Sequence, residues 1–211
     1  MTKLSKNTDH PIKIFFFITF FLFSSCSKEQ PKLQPLAPDA VILAFGDSLT
    51  YGTGTTLANS YPADLEILIK HRVINAGVAG EETSQSMPRL VMELEKNHPQ
   101  LVLLCLGGND LIRKRPEESI KTNLSEMIKK IKIAGAQIVL IAVPYPRLSF
   151  AIPDFYQELA DEYNIPLEKN SLASLLQQPK YKSDMMHLNQ LGYSELAKNI
   201  AKILQETEAI K

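Results

Sequence analysis

The sequence predicts an α/β domain of three layers, in which helices cover both faces of a doubly wound, flavodoxin-like parallel sheet of about five strands. Short, fully apolar runs alternate along the chain with longer segments whose apolar residues recur at helical spacing. Strands this apolar need cover on both faces, and parallel sheets receive that cover from crossover helices. In such sheets, ligands bind beyond the carboxyl ends of the strands.

The individual elements follow from apolar runs and from the residues that interrupt them. Gly46 ends the first strand, Pro116 suits the first turn of a helix, and Gly135 ends that helix. Pro144 and Pro146 stop the fourth strand. Strands are therefore expected at residues 41–45, 72–75, 101–106, 137–143 and 165–167. Helices are expected at residues 60–71, 83–97, 116–133, 154–164 and 190–207.

The first 25 residues differ in kind from the rest. A segment with three lysines precedes an apolar stretch at 14–23, and two serines then precede Cys26. This order is typical of a bacterial export signal, and the apolar stretch of about ten residues is too short for a bilayer span of about 20. We therefore expect a signal peptide at 1–25, a flexible tether rich in Pro, Lys and Gln at 26–39, and one domain at 40–211.

Cys26 and the residues before it resemble the lipobox of bacterial lipoproteins, in which the cysteine is lipidated and becomes the new N-terminus. The resemblance implies membrane contact through this lipid, on the periplasmic side of the envelope. Ser27 is compatible with sorting to the outer membrane. An ordinary signal peptide with an incidental cysteine is the alternative. The other cysteine, Cys105, lies in an apolar run and is expected to be a buried, inert thiol.

Composition excludes several classes of function. Lys and Arg number 23 and so do Asp and Glu, so the net charge of zero gives no reason to expect nucleic acid as a partner. The four histidines are too scattered for a zinc site, and no glycine-rich turn matches a nucleotide-binding pattern. We expect no metal, no cofactor and a monomer.

Polar residues stand where the predicted strands end. Ser48 follows the first strand, Gly80 follows the second, and Asn109 follows the third. Asp184 and His187 stand just before the last helix. All of them are expected at one edge of the sheet, which makes this edge the candidate site.

These residue types match the requirements of acyl transfer, namely a nucleophile, a base, a group that orients the base, and donors for the oxyanion. Ser48 supplies the nucleophilic hydroxyl and His187 the base, with Asp184 three residues earlier to accept from the imidazole. The backbone N–H groups of Ser48 and Gly80 and the amide of Asn109 supply oxyanion donors.

The four motifs resemble those of the GDSL, or SGNH, hydrolases, named for a Ser, Gly, Asn and His that here are Ser48, Gly80, Asn109 and His187. The resemblance covers nearly all of 41–205 and is greatest to the bacterial periplasmic thioesterase, arylesterase and lysophospholipase branch. It implies a serine esterase that acts on acyl esters or thioesters. The family often has Pro after the histidine, where this chain has Leu188. The Gly-x-Ser-x-Gly motif is absent, which argues against the α/β-hydrolase fold.

Other interpretations stay open at this point. The alternatives are a carbohydrate acetylesterase, an acyltransferase and a lipoprotein binding module without turnover. Residues 144–147 are expected to form a wall of the acyl pocket. The basic cluster Arg113, Lys114 and Arg115 is either a solvated turn or a site that attracts an acidic group of the substrate.

Overall fold

The computed structural model describes residue 2 and residues 29–146 and 150–211. Five strands form one sheet: β1 Val41–Gly46, β2 Arg72–Gly77, β3 Leu101–Cys105, β4 Gln137–Ile141 and β5 Leu167–Glu168. The helices are α1 Ser48–Tyr51, α2 Tyr61–Ile69, α3 Thr83–Asn97, α4 Gly108–Ile112, α5 Glu117–Ile133, α6 Asp154–Tyr163, α7 Ser171–Leu176 and α8 Gln190–Glu206. Two 3-10 turns, Leu57–Asn59 and Pro179–Tyr181, complete the described elements.

The sheet is parallel throughout, with strand order β2-β1-β3-β4-β5. This is the flavodoxin-like order, in which β1 lies between β2 and β3 and the connections reverse direction at β1. Gly46 at the end of β1 is in register with Gly77 of β2 and with Cys105 of β3. The predicted fold class is confirmed, and the ends of three strands meet at one point.

Helices form a layer on each face of the sheet. α2 and α7 pack against α8 in one layer, and α3 and α6 pack against α5 in the other. All five residues of β3 are buried, as expected of a strand covered on both faces. Cys105 is among them, as its apolar surroundings in the sequence predict.

Three short helices were not predicted. α1, α4 and α7 have four, five and six residues, too few for a hydrophobic period to show. Two of them, α1 and α4, begin directly after β1 and β3. They turn the chain immediately beyond the sheet, so their first residues stand over its carboxyl edge.

Residues 29–39, which we call the strap, run along the domain instead of leaving it. The Leu33 and Leu36 backbone N–H groups donate to the carbonyls of Thr207 (2.8 Å) and Ala209 (2.8 Å) after α8. The side chain of Gln137 at the start of β4 accepts from the backbone N–H of Gln34 at 2.6 Å and donates to its carbonyl at 2.9 Å. This part of the expected tether is therefore attached beneath the amino ends of the strands.

The expected signal at 1–25 and the lipidated Cys26 lie outside the described residues, apart from Thr2. Within the ranges that the structure describes, no helix is long and apolar enough to cross a membrane.

Candidate active site

Ser48 is the first residue of α1, directly after β1. The side chain of Asp47 accepts a hydrogen bond from the backbone N–H of Leu49 at 3.0 Å and so caps this helix. Gly46 allows the tight exit from the strand, because a Cβ there would lie 2.2 Å from the Thr50 hydroxyl and 2.3 Å from the Cys105 carbonyl. The turn fixes the hydroxyl of Ser48 at the edge of the sheet.

His187 reaches Ser48 from the loop before α8. Its Nε2 lies 3.0 Å from the Ser48 Oγ, and its Nδ1 lies 2.8 Å from the Asp184 Oδ2. The loop is held against the segment after α1: Gly54 has φ +99°, and a Cβ on it would lie 2.1 Å from the Ser183 Oγ. The structure thus brings Ser48 together with Asp184 and His187, from two distant parts of the sequence, in one chain of hydrogen bonds.

The carboxylate of Asp184 accepts hydrogen bonds from its own loop as well as from the His187 ring. Its Oδ1 receives the backbone N–H groups of Met186 at 2.7 Å and His187 at 2.8 Å. Partial burial raises the pKa of the Asp184 carboxyl, but the hydrogen bonds from Met186 and His187 outweigh it, so the pKa lies below its usual value. The carboxylate is therefore ionised at neutral pH and favours the tautomer with a proton on Nδ1, which leaves Nε2 to accept from Ser48.

Two backbone N–H groups beside the Ser48–His187–Asp184 chain of hydrogen bonds are candidate donors for an oxyanion. Among the described residues, neither the N–H of Ser48 nor that of Gly80 has a hydrogen-bond acceptor. Gly80 has φ +82° and lines the same cavity as Ser48, whereas Gly77 packs against the backbone of Tyr51. The N–H of Gly77, the last residue of β2, donates to the Asn75 side chain at 3.0 Å, so of these two glycines only Gly80 is in a position to present its N–H to the cavity.

Asn109 lies on α4, with its side chain between two acceptors. Its Nδ2 donates to the Glu81 carbonyl at 3.1 Å and to the Asp47 Oδ2 at 3.3 Å. These hydrogen bonds hold the Asn109 amide beside Ser48 and Gly80, and all three residues line one cavity.

Asp47 and Asp110, which adjoin Ser48 and Asn109, tie the loops of the site together. Asp110 accepts from the Thr83 N–H at 3.0 Å and from the Thr83 hydroxyl at 2.7 Å, which fixes the start of α3. Asp47 is 1% exposed, and its burial raises the pKa of the carboxyl to about 6, against a lowering by the Leu49 hydrogen bond. A carboxyl of raised pKa therefore lies directly beneath the nucleophile.

The cavity over Ser48 has a volume of about 240 Å³. Pro144, Tyr145 and Pro146 line it, as expected of residues 144–147, of which Arg147 lies outside the described residues. Five of its lining residues also line a second groove of about 430 Å³, so the two are continuous: Ile112, Tyr145, Pro146, Met185 and Met186.

Sequence reasoning missed three further apolar side chains that line this cavity, those of Ile112, Met185 and Met186. Ile112, Met185 and Met186 are 42%, 68% and 36% exposed, which is high for side chains of this kind. The signal available was proximity, because Met186 adjoins His187 and Ile112 follows Asn109 by three residues. Their exposure makes the site an open apolar surface.

The basic cluster is divided by the structure. Arg115 pairs with Glu82 at 2.6 Å, and Arg113 lies 3.4 Å from the same carboxylate and donates to the Gly80 carbonyl at 3.2 Å. Lys114 has no acidic partner among the described residues and lines the groove. The two arginines therefore brace the loop that carries Gly80, and only Lys114 faces the groove.

Within the described ranges, no group of three or more His, Cys, Asp or Glu residues could hold a metal ion.

Comparisons with known proteins identify the family of this chain. The sequence profile of the GDSL-like Lipase/Acylhydrolase family matches residues 44–194. An arylesterase of Vibrio mimicus is 32% identical over 183 residues, which cover 82% of this chain and 87% of the arylesterase. Thioesterase 1/protease 1/lysophospholipase L1 of Escherichia coli K12 is 29% identical over 172 residues, 78% of this chain and 83% of the relative.

Solved structures give the same result. The SGNH-hydrolase family esterase AlinE4 is 29% identical with a TM-score of 0.62, over 81% of this chain and 97% of AlinE4. The fold of TesA superposes with a TM-score of 0.73 at 24% identity, over 79% of this chain and 99% of TesA. The family expected from the four motifs is therefore confirmed: this chain belongs to the GDSL-like lipase/acylhydrolase family and is an ester hydrolase.

Proposed function

We propose that this hydrolase works through an acyl-enzyme formed on Ser48. The observation that carries the proposal is the chain of hydrogen bonds from Ser48 Oγ through His187 to Asp184, at 3.0 and 2.8 Å. A serine hydroxyl is a weak nucleophile until an adjacent base removes its proton. His187 is within hydrogen-bond reach of that proton, and Asp184 holds its ring in the required tautomer.

In the first step, the Ser48 oxygen attacks the ester carbonyl while its proton passes to His187. The negative charge that develops on the carbonyl oxygen is stabilised by the N–H groups of Ser48 and Gly80, which have no acceptor among the described residues. The Asn109 amide adds a third donor when its Nδ2 exchanges the 3.3 Å hydrogen bond to Asp47 Oδ2 for one to this oxygen. His187 then returns the proton to the departing alcohol or thiol. Water repeats these steps on the acyl-enzyme and releases the acid.

The substrate class follows from the walls of the cavity. Apolar side chains line both the cavity and the continuous groove, so the acyl part of the substrate is apolar. This favours aryl esters, fatty acyl thioesters and lysophospholipids over acetylated sugars. The names of the V. mimicus and E. coli relatives, an arylesterase and a thioesterase/lysophospholipase, support the same range.

We also propose that the enzyme works on the periplasmic side of a bacterial envelope, held to a membrane by a lipid on Cys26. The order of basic, apolar and small residues before Cys26 supports this proposal. Labelling of cells with a radioactive fatty acid should mark the wild-type protein and leave Cys26→Ala unlabelled. Equal labelling of both proteins would contradict the lipid anchor and would leave the proposed reaction at Ser48 unaffected.

The central test uses residues 27–211 and p-nitrophenyl esters of two to sixteen carbons. Ser48→Ala should abolish turnover, while Ser119→Ala, an exposed serine on α5, serves as the matched control and should retain it. The optimum chain length should exceed two carbons because the cavity is apolar. Turnover that survives Ser48→Ala would refute the acyl-enzyme, and transfer of the acyl group to added glycerol in preference to water would reassign the chain as a transferase.

A further inference from the structure

The guanidinium of Arg89, on α3, joins three segments that meet at the active site. Its Nη1 donates to the Ala76 carbonyl at 2.7 Å, and its Nη2 donates to the Gly46 carbonyl at 3.2 Å. Its Nε donates to Glu81 Oε1 at 2.9 Å, and Nη2 also donates to Glu81 Oε2. One side chain thus contacts the ends of β1 and β2 and the loop that follows β2.

Two of these contacts lie within two residues of a proposed oxyanion donor. Gly46 precedes Ser48 by two residues, and Glu81 is the residue after Gly80. The carbonyl of Glu81 accepts the amide of Asn109 at 3.1 Å. A shift of Glu81 would therefore move two of the three donors at once.

The arrangement is rigid and largely buried. The side chains of Arg89 and Glu81 are only 17% and 8% exposed, and the guanidinium carbon lies 3.9 Å from the centre of the Phe45 ring. Stacking on the ring fixes the plane of the guanidinium, and its fork of donors fixes the positions of its acceptors. An ammonium group is a point charge and cannot make this set of contacts.

The sheet itself does not need this side chain. β1 and β2 are already joined along six residue pairs, from Val41 with Arg72 to Gly46 with Gly77. The loop after β2 lies beyond that ladder, where its backbone is joined to β1 by the Val78 N–H, which donates to the Gly46 carbonyl at 3.0 Å. Arg89 attaches the side chain of Glu81 to the same strand ends. The contact therefore serves the position of the loop more than the cohesion of the strands.

We propose that Arg89 is a positioning residue of the ester hydrolase, which acts through Glu81 to place the Gly80 N–H and the Asn109 amide against the oxyanion. Neither Arg89 nor Glu81 lines the cavity, so neither contacts the substrate. The inference rests on the proposed reaction at Ser48. Because oxyanion donors act in the transition state, loss of their placement lowers kcat and leaves KM nearly unchanged.

The test compares Arg89→Lys and Arg89→Gln with Arg72→Lys, an exposed arginine at the start of β2, as the matched control. We expect kcat for a p-nitrophenyl ester to fall by about 10- to 100-fold in the Arg89 variants, with KM within about threefold of wild type. Arg72→Lys should stay within about twofold in kcat, as exposed substitutions usually do.

Two further readouts separate positioning from general stability. The Ki of an alkyl boronic acid, which forms a tetrahedral adduct with the serine, should rise by about the same factor as kcat falls, since both report transition-state binding. The Ki of a fatty alcohol, which forms no oxyanion, should change by less than about threefold. If the Arg89 variants fail to fold, Glu81→Gln provides the same test, because it keeps the size of the side chain and removes its charge. It should also lower kcat.

The outcomes distinguish this inference from the reaction on which it rests. Activity that requires Ser48 but keeps its kcat in folded Arg89 and Glu81 variants would overturn the role of Arg89 alone. A fall of kcat with no rise in the boronic acid Ki would overturn it as well. Esterase activity that survives Ser48→Ala, with Arg89 and Glu81 unchanged, would overturn the proposed function itself.

Discussion

The two edges of the sheet are built in opposite ways. At the carboxyl edge, the N–H groups of Ser48 and Gly80 lack acceptors among the described residues, and the Asp47 carboxyl is buried with a raised pKa. At the amino edge, the strap closes the ends of the strands with backbone and glutamine hydrogen bonds, such as the pair between Gln34 and Gln137. Catalysis requires donors kept open for a substrate, so the stability of the domain has to come from elsewhere.

Substitutions in the hydrogen-bonded chain of the carboxyl edge should have the largest effect. Ser48→Ala and His187→Ala should each lower kcat by at least about 10⁴-fold, because each removes a group that changes bonding in the reaction. Asp184→Ala should lose about 10- to 100-fold less than His187→Ala does, since Asp184 only orients and stabilises the imidazole. Steady-state kinetics on an aryl ester measures all three, and an equal loss for Asp184 and His187 would contradict this ranking.

Removal of the strap should have the opposite signature, a loss of stability without a loss of catalysis. A chain that begins at Pro38 lacks eight hydrogen bonds to the domain, two each by Gln30 and Gln34 and one each by Lys32, Leu33, Leu36 and Ala37. At about 0.5–1 kcal/mol each, their loss should lower the free energy of unfolding by about 4–8 kcal/mol and the Tm by at least about 10 °C.

Calorimetry of residues 38–211 against residues 29–211 measures this change. Glu29→Ala is the control, because its ion pair with Lys32 is exposed. kcat at 25 °C should stay within about twofold, since the strap lies at the far edge of the sheet. A parallel fall in kcat would show that the two edges are coupled.

Asp47 links stability and catalysis at the carboxyl edge. Its pKa is raised from 3.8 to about 6 by burial, so the folded protein binds this proton more tightly than the unfolded chain does. Stability contributed by the protonated group is therefore present below about pH 4 and is lost as the pH rises through about 6.

Asp47→Asn removes this dependence. When the pH rises from 5 to 8, the free energy of unfolding of the variant should increase relative to that of wild type by about 1 kcal/mol, or about 3 °C in Tm. Its kcat should fall by about tenfold, because an amide has one acceptor oxygen where the carboxylate has two, one for Leu49 and one for Asn109. Melting curves at both pH values test the linkage, with the exposed Asp39→Asn expected to follow wild type; a gain that is larger at pH 5 would reverse the assigned sign.

The smallest effect is expected at the rim of the groove. Lys114→Gln should lower kcat/KM for a lysophospholipid, relative to a neutral aryl ester, by about threefold, as an exposed charge contributes little. The difference should vanish in about 1 M salt, where the Debye length is about 3 Å. Lys96→Gln, an exposed lysine at the amino edge, is the matched control. An unchanged ratio would favour the solvated turn over recognition of an acidic group.

Much of the carboxyl edge could be predicted from the sequence because each part has a local signal. Ser48, Gly80 and Asn109 each follow a strand that the apolar pattern reveals, and parallel strands bring their carboxyl ends to one edge. Strand ends were less exact: β2 runs on to Gly77, and β4 stops at Ile141, before the apolar run itself ends. Hydrogen bonds between strands set these bounds, and hydropathy does not report them.

The sequence by itself determined the fold class and which polar residues follow the predicted strands. It also determined the candidate nucleophile, base and oxyanion donors. All of these depend on residue type and on spacing along the chain. Tertiary structure alone decided that the strap is docked through Gln34 and Gln137, that Arg89 braces the loop of Gly80, and that Lys114 is separate from its neighbouring arginines. These contacts join residues far apart in the chain through side chains that are common on any surface. Their partners become defined only when packing brings the segments together.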